Sequence, residues 1–273
     1  MKQYKLFVLL IQALCFLHLP VKAGFDRIPQ PTSVFGTGVS GVSSLDPLSL
    51  WINPASSGTN SRLQTTFFYS PSPFQLPQLS NGGMIISGNI SSVGTGLGMH
   101  TFGFSLYREN VATLCAAQRL SENIFVGIGM EVYQISIQGY GNDVNIGIDL
   151  GLISRLNETI SIGVSLQNIN APKIGGEENS IPQSIVSGIS YSPVSNAKLL
   201  LDVIKDIHYP VSYRVGLEVS PLDAITFRGG VQEETSRVFG GIGFNPGQIR
   251  FDYALSSHTD LGVTHSIGIT LFP

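Results

Sequence analysis

Apolar residues alternate with small or polar residues in many stretches of this chain, and a turn follows each stretch. The clearest case is 160–167, Ile-Ser-Ile-Gly-Val-Ser-Leu-Gln, and 144–152 has Val, Ile or Leu at every second position. A period of two residues predicts β-strands with one apolar and one polar face. We expect about fourteen strands, near 63–70, 83–90, 97–108, 111–120, 124–137, 143–155, 158–168, 183–192, 197–205, 210–220, 224–234, 237–244, 247–256 and 263–272.

The first 23 residues have the features of an export signal. Lys2 and Lys5 precede an apolar run at 6–19, and Val21-Lys22-Ala23 fits cleavage before Gly24. An uncleaved anchor helix is the alternative. The predicted organisation is a signal peptide at 1–23, a leader rich in Pro, Ser and Gly at 24–62 that would form a plug, and a barrel at 63–273.

Few charged residues are available to cover a soluble surface. They make up 12% of the chain, against roughly 25% in ordinary soluble proteins. The polar strand faces consist mostly of Gly, Ser and Thr, and the opposite faces carry almost no charge. Such apolar faces fit contact with lipid, where a closed barrel satisfies every backbone hydrogen bond. The sequence therefore predicts an all-β protein, a transmembrane antiparallel β-barrel with an N-terminal plug, in the lipid of a bacterial outer membrane.

The same composition argues against several other classes of protein. Past residue 23 there is no apolar run of about 18 residues, the minimum for a membrane-spanning helix. A net charge of -3 gives no basic surface for nucleic acid. Cys115 is the only cysteine after the predicted cleavage site, which excludes an intramolecular disulfide. A soluble β-sandwich and a lipocalin-like barrel remain alternatives, although both should carry more surface charge.

Isolated charged residues occupy the polar strand faces, and we expect them to point into the barrel lumen and to pair there. Arg250 and Asp252, two residues apart in one strand, should lie on the same face. Glu131 and Asp149 are expected to be charge partners of lumenal Arg side chains rather than catalysts. The predicted lumenal charges are Glu131, Asp149, Arg214, Glu218, Arg228 and Arg250.

No motif predicts catalysis, a metal site or a cofactor. Residues 36–41 match the dinucleotide-binding fingerprint as a string, but their surroundings offer no βαβ unit. No two histidines after the predicted signal have metal-ligand spacing. Ser266 and His265 are neighbours in a predicted strand and would point to opposite faces. The sequence therefore predicts a protein that is not an enzyme.

Residues 41–55 contain a motif in the predicted plug. Asp46 is suited to cap a helical turn that begins at Pro47, and Trp51 leads into Asn53-Pro54-Ala55, which would end or turn that helix. This segment resembles the N-terminal signature of FadL-like outer-membrane proteins, especially the PorV/PorQ group. The Ser-Ser pair that follows is a departure, because Gly-Leu is more usual there in the group.

A second motif lies near the C-terminus. Asp252-Tyr253 is followed by Ala-Leu, then by Asp260-Leu261-Gly262 and, one residue later, by Thr264-His265. This order is similar to the ending of the same group, with Ser266 where an Arg is expected. The last predicted strand has Phe272 as its penultimate residue, which resembles the terminal aromatic of outer-membrane barrels; Pro273 after it is a departure.

The resemblance implies a plugged barrel with one of two functions. PorV- and PorQ-like relatives serve type IX protein secretion, where they help to deliver cargo to the surface or attach it there. The leading hypothesis is therefore such a component, with secretion-system proteins or secreted cargo as partners. FadL-like relatives take up hydrophobic molecules, so a channel with a hydrophobic ligand is the alternative. A purely structural or adhesive barrel is a third possibility.

Overall fold

Fourteen antiparallel strands pair in chain order, and the first also pairs with the last, so that the sheet closes into a barrel. The computed structural model describes residues 24–25, 30–59, 62–175 and 181–273. The predicted signal peptide, 1–23, lies outside these residues. The strands are β1 Gln64–Ser70, β2 Asn81–Ile90, β3 Val93–Gly103, β4 Tyr107–Arg119, β5 Ile124–Ile137, β6 Gly141–Arg155, β7 Ile160–Gln167, β8 Ser184–Val194, β9 Ala197–Asp206, β10 Ser212–Leu222, β11 Ile225–Gln232, β12 Arg237–Phe244, β13 Ile249–His258 and β14 Gly262–Leu271.

The predicted strand count is confirmed, and so is the alternation that produced it. On β10 the side chains of Tyr213, Val215 and Leu217 are 55%, 40% and 47% exposed on the outer face, whereas Gly216 between them is buried on the inner face. The outer face of the barrel is therefore an apolar surface, as contact with lipid requires.

One pair of predicted strand boundaries is wrong by several residues. The third strand was expected at 97–108 but spans Val93–Gly103, and the next begins at Tyr107. Gly103 has a φ of +102°, and the N–H of Phe104 donates to the carbonyl of Tyr107 at 2.8 Å. This tight turn was missed because its residues after Gly103 are Phe, Ser and Leu, which do not mark a turn in the sequence.

Residues 30–59 lie inside the barrel and are called the plug below. They contain a short helix, α1, at Thr32–Gly36 and two 3-10 helices at Pro47–Ser49 and Pro54–Gly58. The helix α1 packs against β11 to β14, and the second 3-10 helix packs against β2 to β6. Among the residues that the structure describes, no helix combines the length and the apolar character needed to cross a membrane.

The two ends of the barrel differ in their connections. The loop end carries the connections that follow odd-numbered strands, including 71–80 and 168–183. The terminal end carries the first residue of β1, the last residue of β14 and the remaining turns, most of which are shorter. The two longest connections, 71–80 and 168–183, therefore lie at the same end of the barrel, although residues 176–180 are outside the described part.

Candidate functional site

Two 3-10 turns place the predicted plug motif. Asp46 caps the first, as predicted, because its Oδ1 accepts the N–H of Leu48 at 3.0 Å and Pro47 takes the first helical position. Asn53 caps the second in the same way, and its Oδ1 accepts the N–H of Ala55 at 3.0 Å. The Asn-Pro-Ala segment therefore begins a second turn as well as ending the first.

Trp51 and Asn53 also join the plug to the barrel wall. The indole N–H of Trp51 donates to Thr113 Oγ1 on β4 at 2.8 Å. The side-chain amide of Asn53 donates to the carbonyls of Leu152 on β6 and Val164 on β7, at 3.1 and 3.3 Å. Because both side chains are buried, at 2% and 0% exposure, these bonds hold the plug against one side of the lumen.

Glycines on the inner faces of the strands make room for the plug. At Gly98 an added Cβ atom would lie 2.7 Å from the ring of Trp51, and at Gly216 it would lie 2.6 Å from the carbonyl oxygen of Thr37. The small residues of the polar faces are thus explained by contact with the plug. The inward glycines whose added Cβ would come within 3.0 Å of plug atoms include Gly94, Gly96, Gly98, Gly127, Gly151, Gly163, Gly188, Gly216, Gly230 and Gly268.

Three of the six predicted lumenal charges, Glu218, Arg228 and Arg250, belong to one network on the inner faces of β9, β10, β11 and β13. Arg228 lies at its centre, where Nε donates to Glu218 Oε2 and Nη1 to Asp252 Oδ1, both at 2.8 Å. Arg250 Nε donates to the other oxygen of Asp252 at 2.8 Å, and Lys198 Nζ lies 3.4 Å from Glu218. The side chains of Arg228 and Asp252 are 4% exposed, so each charge is balanced within the protein interior.

Arg214 and Asp202 contact the plug directly. Arg214 Nη1 donates to the carbonyl of Val39 at 3.3 Å, and Nη2 pairs with Glu234 at 3.0 Å. Asp202 is buried, and its Oδ2 accepts the backbone N–H of Gly41 at 2.6 Å. The sequence did not single out Asp202, because aliphatic residues at 199–201 and 203–204 flank it on both sides and weaken the alternation in β9.

The expected pairing of Glu131 and Asp149 with lumenal Arg is wrong for the residues that the structure describes, where neither carboxylate takes part in a salt bridge. These two residues, the carboxylate pair, lie diagonally on the inner faces of β5 and β6 at 1% and 4% exposure. Neutral donors satisfy them instead. Glu131 accepts the hydroxyl of Tyr133 and, at 3.4 Å, that of Thr113. Asp149 accepts the N–H of Asn168 at 2.7 Å.

An apolar cluster occupies the lumen toward the loop end, beside the carboxylate pair. It consists of buried side chains from the wall and from two segments outside the strands. The ring of Phe25 packs edge-on against Tyr133, with ring centroids 5.0 Å apart. Tyr133 connects the apolar cluster to the carboxylate pair, since its ring lies in the cluster while its hydroxyl donates to Glu131. The members of the cluster are Phe25, Val111, Tyr133, Ile135, Ile174 and Ile181.

The wall beside this cluster contains an irregular seam. β7 pairs with β6 only along residues 150–155 of β6, so the edge of β6 nearer the loop end has no strand partner on that side. There the side chain of Asn170 replaces a strand, accepting the N–H of Ile148 at 2.9 Å and donating to the carbonyl of Ile146 at 2.7 Å. The seam, 143–148 of β6 with the adjoining 168–175, is therefore closed largely by side chains.

The predicted C-terminal motif divides between the two faces of the barrel. Tyr253 and His265 lie on the outer face, where the Tyr hydroxyl is 2.7 Å from His265 Nδ1. Thr264 points inward and accepts the N–H of Phe74 from the 71–80 loop at 3.3 Å. Asp260 and Leu261 form the turn before β14, which begins at Gly262 with a φ of +93°. Only Asp252 of this motif belongs to the charge network, so the motif residues do not form one site.

Sequence reasoning missed Tyr133, Asn168 and Asn170, which shape the apolar cluster, its polar margin and the seam. Tyr133 alternates with Glu131 and Ile135 on the inner face of β5. These three large side chains interrupt the small residues of the polar faces, and that interruption was the signal available in the sequence. The two asparagines follow the last residue of β7 and could be assigned only to a loop. Their roles depend on where that loop folds back, which no local pattern records.

No protein-family model matches the sequence, and a search of curated proteins gives no significant match. Solved structures do match. The chain is similar to the CymD monoaromatic hydrocarbon channel, with a TM-score of 0.71 at 14% identity, over 92% of this chain and 99% of that one. It is similar to a Pseudomonas aeruginosa FadL homologue, with a TM-score of 0.64 at 12% identity, over 92% and 100%. The Pseudomonas putida toluene transporter TodX gives 0.64 at 10% identity, over 92% and 99%.

These likenesses span almost the full length of both chains, and their low identity means that they concern the fold. The closed barrel of fourteen antiparallel strands is the fold that these likenesses support. The chain therefore has the fold of the FadL-like outer-membrane barrels.

Proposed function

We propose that this barrel is an outer-membrane channel for the uptake of small hydrophobic molecules. The observation that carries the proposal is the apolar cluster inside the lumen, between the plug and the loop end. Its six buried apolar side chains form a group separate from the larger apolar core between the plug and the wall, and they lie beside a pair of buried carboxylates. An apolar compartment bordered by a few polar groups is the usual form of a binding site for such solutes.

The composition of the apolar cluster suggests how a solute would enter it. Phe25 precedes the plug, and Ile174 and Ile181 belong to the connection between β7 and β8, so three of the six members lie outside the strands. A hydrophobic solute can take the place of these side chains without breaking a backbone pair of the barrel. The apolar area buried would be about the same in both states, which keeps the exchange inexpensive.

The seam offers a route between the apolar cluster and the outer face. Asn170 closes the edge of β6 with side-chain hydrogen bonds, and such a closure can open without separating two full strands. Ile169 beside it is 45% exposed. Support for this function also comes from the fold, since three proteins that share it are described as a monoaromatic hydrocarbon channel, a FadL homologue and a toluene transporter.

An uptake experiment tests the proposal. The chain is expressed in a bacterial strain that lacks its own channels for hydrophobic solutes, and uptake of radiolabelled ethylbenzene is compared with that of a strain carrying an empty vector. We expect faster uptake with the chain, and slower uptake when Ile174 and Ile181 are both replaced by Asp, which places charge in the apolar cluster. Equal uptake with and without the chain, at confirmed surface expression, would refute the channel.

A component of type IX secretion or surface attachment is the second candidate, and the two end motifs of the sequence favour it. Deleting the gene in its own organism separates the two functions. Loss of ethylbenzene uptake with an unchanged set of surface proteins supports the channel. Loss of surface proteins with unchanged uptake supports the secretion component instead.

A further inference from the structure

We propose that the carboxylate pair makes this passage selective by charge, admitting neutral and cationic hydrophobic solutes and rejecting anionic ones. The inference rests on the proposed channel function and names its substrate class. Glu131 and Asp149 would act as specificity determinants at the margin of the apolar cluster, and a fatty-acid anion or an aromatic carboxylate would be a poor substrate.

The contacts of Tyr133 place the carboxylate pair next to any solute in the apolar cluster. Its ring packs against Phe25, and its hydroxyl donates to Glu131. A solute that replaces Phe25 would therefore lie one aromatic ring away from a buried carboxylate. Asp149 adjoins the same place through Asn168, whose N–H it accepts at 2.7 Å and whose side-chain oxygen is 3.1 Å from the Tyr133 hydroxyl.

In the part of the chain that the structure describes, the salt-bridged positive charge of the lumen lies on other strands. The Lys and Arg side chains in the described salt bridges belong to β9, β10, β11 and β13, and each of them is already paired with Glu or Asp. The carboxylate pair lies on β5 and β6, and the hydrogen bonds that it accepts come from neutral Tyr, Thr and backbone donors. Among the described residues the two sides of the lumen therefore differ in charge, and the apolar cluster is on the acidic side.

The cost of an anion at this place follows from desolvation and repulsion. Even with one proton shared between them, the carboxylate pair carries a negative charge, and Coulomb repulsion is strong where water is excluded. An anionic solute would also lose its hydration, and the described groups that donate to the carboxylate pair are neutral ones. A neutral solute avoids both penalties. A hydrophobic ammonium ion would be attracted to the pair and could contact the rings of Phe25 and Tyr133.

Trp51 provides a reporter for binding at this place. It is the only tryptophan of the chain, and its N–H donates to Thr113, whose hydroxyl in turn donates to Glu131. Its fluorescence is recorded in the purified, folded barrel during titration with three probes that share a phenyl group and a two-carbon chain: neutral ethylbenzene, cationic 2-phenylethylamine and anionic phenylacetate. We expect phenylacetate to bind at least roughly ten-fold more weakly than ethylbenzene, the equivalent of about 1.4 kcal/mol.

Isosteric variants identify the residues responsible. In Glu131→Gln/Asp149→Asn the amide oxygens can still accept the hydrogen bonds of Tyr133 and Asn168, while the charge is gone. We expect the affinity of this variant for ethylbenzene to lie within about two-fold of that of the unaltered protein. The difference in affinity between ethylbenzene and phenylacetate should narrow to about three-fold or less. Phenylethylamine should bind more weakly than it does to the unaltered protein. Glu122→Gln, in an exposed turn at the terminal end, removes one negative charge away from the site and should change none of the three.

The possible results separate this inference from the proposed function. If ethylbenzene does not bind to the unaltered protein, the channel itself is refuted. If ethylbenzene binds and phenylacetate binds equally well, or the double variant keeps the full difference, the selectivity is refuted while the channel stands. Retarded migration on a gel after boiling verifies that each variant is folded, and the single variant Asp149→Asn takes the place of a double variant that does not fold.

Discussion

At the scale of single residues, Asn53 joins the plug to two strands of the barrel wall through one uncharged side chain. Its amide nitrogen donates to carbonyl oxygens of the plug, of β6 and of β7, and its own oxygen caps the next turn. The residue is fully buried. Without it, at least one of these carbonyls and the capped N–H would remain buried without a partner, which is costly because water cannot reach them.

Asn53→Ala is therefore expected to loosen the plug while leaving the barrel closed. An unsatisfied buried polar group costs about 1–3 kcal/mol, so the plug should be cleaved by protease at lower concentration than in the unaltered protein. Limited proteolysis of the folded protein in detergent micelles measures this. Asn142→Ala, at an exposed position of β6, is the matched control, and equal protection of the two variants would contradict the role assigned to Asn53.

Which residues face the lumen could be predicted from the sequence, because facing follows from the period of two. The contacts between them could be predicted only within one strand. Arg250 and Asp252 are two residues apart and do pair, whereas Arg228 and Glu218 meet because β10 and β11 align them. Glu131 was expected to pair with an Arg side chain, but the described lumenal salt bridges all lie on other strands. Pairing across strands depends on register, which local pattern does not contain.

At the scale of secondary structure, the strands are built to receive the plug. Inward glycines lie opposite plug atoms on most strands of the barrel, and outward glycines are not under this constraint. At Gly163 on β7 an added Cβ atom would lie 2.7 Å from the Cα atom of Ser43, which is backbone and cannot turn aside. At Gly240 on β12 the same addition would meet no atom within 4 Å.

Gly163→Ala should therefore displace the plug, and Gly240→Ala should not. Overpacking of a tight contact costs about 1–3 kcal/mol, and in this protein the cost falls on the contact between plug and wall. The temperature at which the folded band on an unboiled gel disappears, together with proteolysis of the plug, reports both variants. If Gly163→Ala behaves like Gly240→Ala, the inward glycines do not exist to make room for the plug.

The elements themselves were predictable in number and type, and less so at their ends. Strands with regular alternation, such as β5 and β14, lie within two residues of their predicted bounds. The segment after β7 was predictable only as a loop, because Asn168 and Ala171 take positive φ values of 53° and 50° and Asn170 bonds to β6 through its side chain. Asparagine in a loop is common, so neither the seam nor its position beside the apolar cluster could be inferred.

At the scale of the whole molecule, two surfaces of opposite character explain the composition. The outer face carries exposed aliphatic and aromatic side chains on every strand, while the inner face combines small and polar residues with apolar side chains that pack against the plug or form the apolar cluster. In a soluble protein such an apolar outer face would promote aggregation, whereas a membrane barrel requires it. The low charge content of the sequence is the consequence, since only the turns and the lumen can hold charge.

Leu217→Arg provides a test of that solvent assignment. Leu217 is 47% exposed in the middle of β10, so in a soluble protein an arginine there would change stability by less than about 0.5 kcal/mol. Facing lipid, it should cost about 2–4 kcal/mol near the bilayer midplane. The measurement is the urea concentration at which the barrel folds into lipid vesicles, with Glu122→Arg in an exposed turn as the control for added positive charge. Equal folding of the two variants would place Leu217 in water and remove the basis for a lipid-facing wall.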